Sequence, residues 1–142
     1  MEKKTILLVD DEEDTLTEVV SCFSDKFSVQ TANSLSSAKQ AIENYSKNNN
    51  DNFYCIIIDL KVDNQSEFSG VKLIKYLQEN KPDMPYLVFS AYSPLDVARE
   101  AFQKTLGLKD FDLEKLTKER YVPKSEGNYI RVLAQKLQEI GE

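Results

Sequence analysis

Short apolar runs alternate with longer amphipathic stretches along the whole chain. The clearest run, residues 53–59, has six mostly apolar residues, rich in aromatic and β-branched types, and ends in Asp59. Such a run predicts a strand buried on both faces, as in the middle of a parallel sheet. Alternating apolar and polar residues at 27–31 instead predict a strand near a sheet edge. Three further apolar runs predict strands at 5–9, 86–89 and 121–122.

Apolar residues at helical spacing occupy the intervals between these runs. Leu16, Val19 and Phe23 recur at that spacing in the first interval, and Ser34 can cap the second helix. We expect residues 47–52 to form a solvated loop, because four of them are asparagine. Four further helices are predicted. One begins after Gly70 and one at Ser93-Pro94, an extra one lies within 108–119, and the closing helix includes Ile130.

Strand and helix alternate five times, with no internal repeat and no linker. This order predicts an α/β fold in which a five-stranded parallel sheet is doubly wound, with helices on both faces. A chain of 142 residues is long enough for one core, so we expect a single domain over residues 1–142.

Charge and composition exclude several function classes. The net charge of -6, with no cluster of Lys and Arg, argues against nucleic acid as a direct partner. The absence of histidine excludes Ser-His triads, imidazole acid-base catalysis and zinc sites for this chain acting alone. The apolar run before Asp10 is too short for a signal peptide or a membrane span, so a cytoplasmic location without membrane partners is expected. Cys22 and Cys55 match no metal or redox motif, and we expect both to be buried.

Charged and polar residues follow four of the predicted strands. Asp10 and Asp11 follow the first strand, Asp59 the third, Ser90 the fourth and Lys124 the fifth. Functional groups of parallel sheets gather at these carboxyl ends, and three converging carboxylates favour a hard divalent cation such as Mg²⁺. One carboxylate can then act as a nucleophile towards phosphorus, with Lys124 and Ser90 supplying an ammonium and a hydroxyl.

Each of these residues also has an ordinary structural explanation. Acids at 10–14 favour the start of any helix, and a serine after a strand is usually a turn residue. Lys124 alone would be a solvated lysine, and Tyr121 a packed aromatic of the sheet. Their joint occurrence at successive strand ends favours the phosphoryl-transfer interpretation.

Four motifs in this order resemble the response-regulator receiver domains of two-component signalling. The matching residues are Val9-Asp10-Asp11, Ile58-Asp59, Phe89-Ser90-Ala91, and Tyr121 with Lys124. The resemblance covers nearly the whole chain and implies a flavodoxin-like fold with strand order 2-1-3-4-5. It also implies a phosphorylation-controlled switch rather than a conventional enzyme. Such a switch would catalyse only its own aspartyl phosphorylation and dephosphorylation.

The resemblance implies a phosphoacceptor and a Mg²⁺ site. Asp59 would accept a phosphoryl group from a histidine kinase or histidine phosphotransfer protein, which supplies the histidine that this chain lacks. Asp11 would bind Mg²⁺ directly and Asp10 mainly through water. Asp59 and the backbone carbonyl of Lys61 would complete the protein ligands.

The resemblance also implies how the phosphoryl group is contacted. Ser90 would hydrogen-bond it, Lys124 would pair with it, and Tyr121 would swing inward when Ser90 moves. Lys61 and Tyr92 occupy positions that influence access of hydrolytic water in the family. We expect the bulk of these two side chains to slow the loss of phosphate.

Two departures from the family pattern lie close to the site. Pro123 precedes Lys124 and Ser125 follows it, whereas the family usually has proline directly after the lysine. The loop between Asp59 and Gly70 is longer than usual and lacks the common Met-Pro, so we expect it to be mobile.

A third departure is extra length between Ser90 and Lys124, located at residues 109–119. This segment predicts an extra helix that replaces or covers the face with which receiver domains commonly dimerise. We expect a downstream protein partner to bind through this insertion and the last two helices, and the chain to be a monomer or a weak dimer.

Two other functions stay open on the sequence. A pseudo-receiver would have the same fold and bind partners without phosphorylation. A phosphatase or phosphotransferase acting on small molecules would usually have an Asp-x-Asp pair after the first strand, and Asp10-Asp11-Glu12 does not supply that spacing clearly.

Overall fold

The computed structural model describes residues 3–61, 68–125 and 127–141, and these contain five strands and six helices. The strands are β1 (Lys4–Val9), β2 (Phe27–Ala32), β3 (Cys55–Ile58), β4 (Tyr86–Ser90) and β5 (Tyr121–Pro123). The helices are α1 (Glu13–Phe23), α2 (Leu35–Asn49), α3 (Ser69–Asn80), α4 (Arg99–Leu106), α5 (Asp110–Arg120) and α6 (Tyr129–Ile140). The loop expected to be mobile falls largely on 62–67, outside the described residues.

The strands form one parallel sheet with the order β2-β1-β3-β4-β5. This confirms the predicted doubly wound, flavodoxin-like architecture. All four residues of β3 are buried because the strand lies in the middle of the sheet with helices on both faces. On β2, at the sheet edge, Ser28 and Gln30 are exposed while Phe27 and Val29 are partly buried, as the alternating pattern predicted.

Side-chain alternation along the strands divides the core between the two faces of the sheet. Ile56 and Ile58 pack on the face covered by α2, α3, α4 and α5. Cys55 and Ile57 point the other way, towards α1 and α6. Helices on opposite faces leave the two ends of the sheet open, and the strand ends therefore remain available for a site.

Two predicted element boundaries are wrong. Helix α2 extends into the expected loop at 47–52 and ends at Asn49. The side-chain amide of Asn49 donates to the Tyr45 carbonyl one turn earlier. The helix ends where Asn50 adopts a left-handed conformation, which asparagine tolerates well. Helix α4 begins at Arg99 instead of Ser93, because Ser93 caps a segment of turns over residues 94–98.

The predicted helix within 108–119 is confirmed as α5, between β4 and the last strand. Leu113 and Leu116 bury their side chains, whereas Phe111 is 76% exposed. Cys55 is buried as expected, but the prediction for Cys22 is wrong: it is exposed, because it lies off the face that α1 buries. No helix in the described part of the chain is long and apolar enough to cross a bilayer.

Candidate functional site

The central strands place two aspartates side by side at the carboxyl end of the sheet. Val9 pairs with Ile58, and the next residues continue the pairing. The Asp59 amide donates to the Val9 carbonyl at 2.9 Å, and the Asp10 amide donates to the Ala32 carbonyl at 3.0 Å. Hydrogen bonds of the sheet thus fix the backbones of Asp10 and Asp59 independently of their side-chain contacts.

Asp10, Asp11 and Asp59 form an acidic cluster in which one oxygen of each carboxylate lies within 4.8 Å of the others. Asp10 is fully buried and Asp59 is 5% exposed, while Asp11 is partly exposed. Buried carboxylates this close repel one another unless a cation or a proton compensates them.

Lys124 supplies the positive charge at this cluster. Its Nζ lies 2.7 Å from Asp10 Oδ2, 3.1 Å from Asp59 Oδ2 and 3.7 Å from Glu12 Oε1. The Lys124 backbone is fixed by its amide, which donates to the Ser90 carbonyl and so extends the pairing of β4 with β5. The order Pro123-Lys124-Ser125 therefore does not keep the ammonium from the acidic cluster.

Ser90 and Tyr121 meet at the end of β4. Ser90 is fully buried, and its Oγ accepts from the Tyr92 amide at 3.2 Å. The Tyr121 hydroxyl donates to the Ser90 carbonyl at 3.2 Å. The two residues predicted to act as a switch are thus in direct contact, with the tyrosine directed towards β4.

Burial and charge shift the pKa values of the groups in the site. Burial raises the pKa of Asp59 to about 6, although Lys124 opposes the rise; Asp10 adds to it. Burial also raises the pKa of Asp10, although the Lys124 ammonium opposes the rise. Burial lowers the pKa of Lys124, but the two carboxylates outweigh burial and leave that pKa above its ordinary value. The ammonium therefore stays charged, and both carboxylates compete for it.

The residues of the cluster fit a hard divalent cation. Asp10 Oδ2 is buried and has no hydrogen bond of normal geometry within the described residues, so its ion pair with Lys124 is its compensating contact. All three side chains offer carboxylate oxygens, the ligand type that Mg²⁺ prefers. Lys61 lies at the same pocket, while the role of its backbone carbonyl stays a prediction.

A pocket of about 350 Å³ connects the cluster to solvent. It is lined by Asp11, Glu12, Asp59, Lys61, Ala91, Tyr92 and Lys124. Asp59 is thus buried by the fold and still reachable from one side. Lys61 and Tyr92, expected to influence the access of water, both line this pocket.

Sequence reasoning missed three residues that shape the site. Glu12 was counted only as part of an acidic helix start, yet its amide donates to Asp10 Oδ1 at 3.0 Å. Gly70 approaches the backbone so closely that a Cβ would lie 2.2 Å from the Asp59 carbonyl oxygen. Phe68 contacts Tyr92 with ring centroids 5.5 Å apart. The spacing of residues along the chain does not reveal such packing, because the packing depends on how the start of α3 meets the segments that follow β3 and β4.

A family model and several solved structures match this chain and agree on one family. Residues 6–120 match the family described as the response regulator receiver domain. The match ends before Tyr121 and Lys124, so the placement of these two residues rests on the geometry. A comparison with curated proteins gave no significant match.

Solved structures with the same fold include several receiver domains. A CheY-like receiver domain protein from Methanospirillum hungatei is 18% identical, with 99% of this chain and 98% of that chain covered and a TM-score of 0.68. The receiver domain of an HD domain-containing protein from Pseudomonas fluorescens is 16% identical, with 98% and 94% covered and a TM-score of 0.70. NtrX from Brucella abortus is 19% identical, with 99% of this chain but 27% of that chain covered and a TM-score of 0.66. The chain belongs to the response regulator receiver domain family.

Proposed function

We propose that the chain is a phosphorylation-controlled switch that accepts a phosphoryl group on Asp59. The proposal rests on the position of Asp59. Its side chain is 5% exposed, and one carboxylate oxygen lies 3.1 Å from the Lys124 ammonium. Asp59 also lines a pocket that opens to solvent. A nucleophile next to a fixed cation suits phosphoryl transfer, which needs positioning and charge neutralisation more than covalent chemistry.

In the proposed transfer, an Asp59 carboxylate oxygen forms a bond to phosphorus as the bond from phosphorus to the donor breaks. The donor is the phosphohistidine of a histidine kinase or phosphotransfer protein, whose imidazole nitrogen retains the bonding electrons and takes up a proton. The absence of histidine in this chain agrees with a donor on another protein. Lys124 would pair with the transferred phosphoryl group, and Ser90 would hydrogen-bond it.

Asp10, Asp11 and Asp59, with the Lys61 backbone carbonyl, would hold a Mg²⁺ ion in the proposed mechanism. When bound, Mg²⁺ supplies positive charge that stabilises the oxygens of the transferring phosphoryl group. The carboxylates of this chain position the ion, and Asp59 also provides the nucleophilic oxygen. Without the ion, Lys124 is the cation that pairs with both Asp10 and Asp59 among the residues that the structure describes.

The signal would leave the site through Ser90 and Tyr121, which are already in contact. In this proposal residues 1–142 act as one receiver domain in the cytoplasm, as a monomer or a weak dimer. A downstream protein would bind the face of the last two helices together with the 109–119 segment, where Phe111 is exposed.

The test is incubation with Mg²⁺ and acetyl phosphate, followed by intact mass measurement. We expect the wild-type chain to gain one phosphoryl group, and we expect no gain for Asp59→Asn or when EDTA replaces Mg²⁺. Asp83→Asn, which changes an exposed aspartate away from the site, is the matched control and should behave as wild type. A wild-type chain that gains no mass would contradict the proposal and favour the pseudo-receiver.

A further inference from the structure

The ammonium of Lys61 lies against two aromatic rings beside the pocket. Its Nζ is 4.8 Å from the centroid of the Tyr92 ring and 5.2 Å from that of Phe68. The rings themselves meet edge to face, with planes 76° apart. Both distances are inside the range of about 6 Å over which a ring face attracts a cation. Two rings from separate elements therefore favour one position of a long, flexible side chain.

The three side chains have different relations to the pocket. Lys61 and Tyr92 line it together with Asp59, whereas Phe68 lines a neighbouring groove with Lys72 and Val97. Phe68 thus contacts the lining residues without lining the pocket itself. Its ring contacts connect it to the pocket through Lys61 and Tyr92.

The backbone holds Phe68 in a defined place. Phe68 is the residue before α3, and its carbonyl accepts from the Val71 amide at 3.1 Å. The Gly70 amide donates to the Leu60 carbonyl at 2.9 Å, which fastens the start of the helix to the chain leaving β3. The ring is therefore carried on a fixed helix terminus, while Lys61 has several rotatable bonds.

We propose that Phe68 is a positioning residue that, with Tyr92, holds the Lys61 ammonium beside the mouth of the Asp59 pocket and so limits the access of hydrolytic water. The inference rests on the proposed function. In hydrolysis, the oxygen of water bonds to phosphorus and the bond to the Asp59 oxygen breaks. The carboxylate leaves with the bonding electrons, inorganic phosphate is released, and the proton of water passes to solvent. A side chain kept beside the pocket mouth obstructs the approach of that water.

The test compares Phe68→Leu, which removes the ring, with Phe68→Tyr, which keeps it. The first measurement is NMR of the Lys61 side chain in the unphosphorylated protein. Ring currents should shift its ε-methylene signal upfield in wild type and Phe68→Tyr, and the shift should decrease in Phe68→Leu. This readout does not depend on phosphorylation.

The second measurement is the half-life of the aspartyl phosphate after the phosphodonor is removed. We expect Phe68→Leu and Lys61→Met each to shorten it about threefold, the factor expected for loss of a cation–π contact at a partly exposed site. The double variant should be no faster than Lys61→Met, because Phe68 acts through Lys61. Phe68→Tyr should keep the wild-type half-life.

An unchanged half-life in Phe68→Leu, or full additivity in the double variant, would overturn the inference. A wild-type chain that takes up no phosphoryl group would instead refute the proposed function. In that case the NMR measurement still tests whether Phe68 positions Lys61. Loss of the upfield shift in Phe68→Leu would support this positioning role, and an unchanged shift would overturn it.

Discussion

Asp59 and Asp10 are buried next to each other, and the Lys124 ammonium forms an ion pair with each of them. Such an arrangement destabilises the folded state without a metal, since each carboxylate loses hydration and Lys124 compensates both only partly. The raised pKa of Asp59 expresses this cost, because a proton binds more tightly in the folded protein than in the unfolded chain. The buried acidic cluster therefore lowers the stability of the metal-free protein, and the proposed cation would offset this cost.

Asp59→Asn should therefore stabilise the metal-free protein. The pKa of Asp59 rises from 3.8 to about 6 on folding, so wild-type stability falls as the pH increases through this interval. The unfolding free energy of the variant should match that of wild type near pH 3.8 and exceed it above pH 6, by roughly 3 kcal/mol. Denaturant unfolding in EDTA across this pH range measures the difference. If Asp59→Asn stabilises the protein equally at the lowest pH, the charge of Asp59 is not the cause of the stabilisation.

Gly70→Ala should destabilise the protein although alanine favours helices. A Cβ at this position would lie 2.2 Å from the Asp59 carbonyl oxygen and 2.7 Å from Leu60 Cα, and both are backbone atoms. The steric cost of roughly 1–3 kcal/mol should exceed the helical gain of under about 1 kcal/mol. Gly127→Ala is the matched control, because no atom lies within 4 Å of its added Cβ. Equal unfolding free energies for the two variants would contradict this account of Gly70.

Single residues differ in how well the sequence predicts them. Asp10, Asp59 and Lys124 were predictable because each lies at or just beyond the end of an apolar run, and parallel strands bring such ends together. Gly70 and Phe68 were not predicted as site residues, because their importance arises from the close approach of α3 to β3. That approach depends on packing in three dimensions and leaves no periodic pattern.

At the scale of elements, α5 is the helix that the sequence predicted between α4 and the last strand. It is joined to α4 by Asp110, which forms an ion pair with Arg99 at 2.9 Å and accepts a hydrogen bond from Gln103. At its other end, the Lys136 ammonium of α6 donates to the Lys118 and Glu119 carbonyls. These contacts make α5 an integral layer of the fold beside β5.

Substitutions on the two faces of α5 should have different effects. Leu113→Ala should lower the free energy of unfolding by roughly 2–5 kcal/mol, because Leu113 is fully buried. Phe111→Ser should change it by under about 0.5 kcal/mol, because that side chain is 76% exposed. Denaturant unfolding measures both, and equal losses would contradict the orientation of the helix. Phe111→Ser is then the variant with which to test α5 as a partner surface, since deleting 109–119 would expose the core.

Elements were easier to predict than their ends. The alternation of apolar runs and helical spacing identified all five strands and the extra helix, because both patterns reflect burial. The ends of α2 and the start of α4 depended on local hydrogen bonds instead. The Asn49 amide prolongs α2, and Ser93 caps turns before α4, whereas the same residue types often mark a loop or a helix start.

At the scale of the whole molecule, binding of Mg²⁺ should be coupled to stability. A cation that binds only the folded state adds about 2.7 kcal/mol when its concentration is a hundred times its dissociation constant. Thermal unfolding at matched ionic strength should show a clear rise with Mg²⁺ for wild type and a smaller rise for Asp11→Asn. Equal shifts in the two proteins would indicate that the ion binds outside the acidic cluster.

The sheet relates these effects, because Asp10, Asp11, Asp59, Ser90 and Lys124 all lie at the carboxyl end of its strands. The close approach of the buried acids follows from strand order and register, and so does the proposed cation site. The strand order was predictable only through the resemblance to receiver domains, since periodicity alone does not determine which strands are neighbours.

The most direct test of the central claim locates the phosphoryl group on the chain. After phosphorylation with acetyl phosphate and Mg²⁺, borohydride reduces an aspartyl phosphate to homoserine, which tandem mass spectrometry can locate. We predict homoserine in place of Asp59 and unchanged aspartate at positions 10 and 11. Reduction at either of those positions, or at none, would contradict the assignment of Asp59 as the phosphoacceptor.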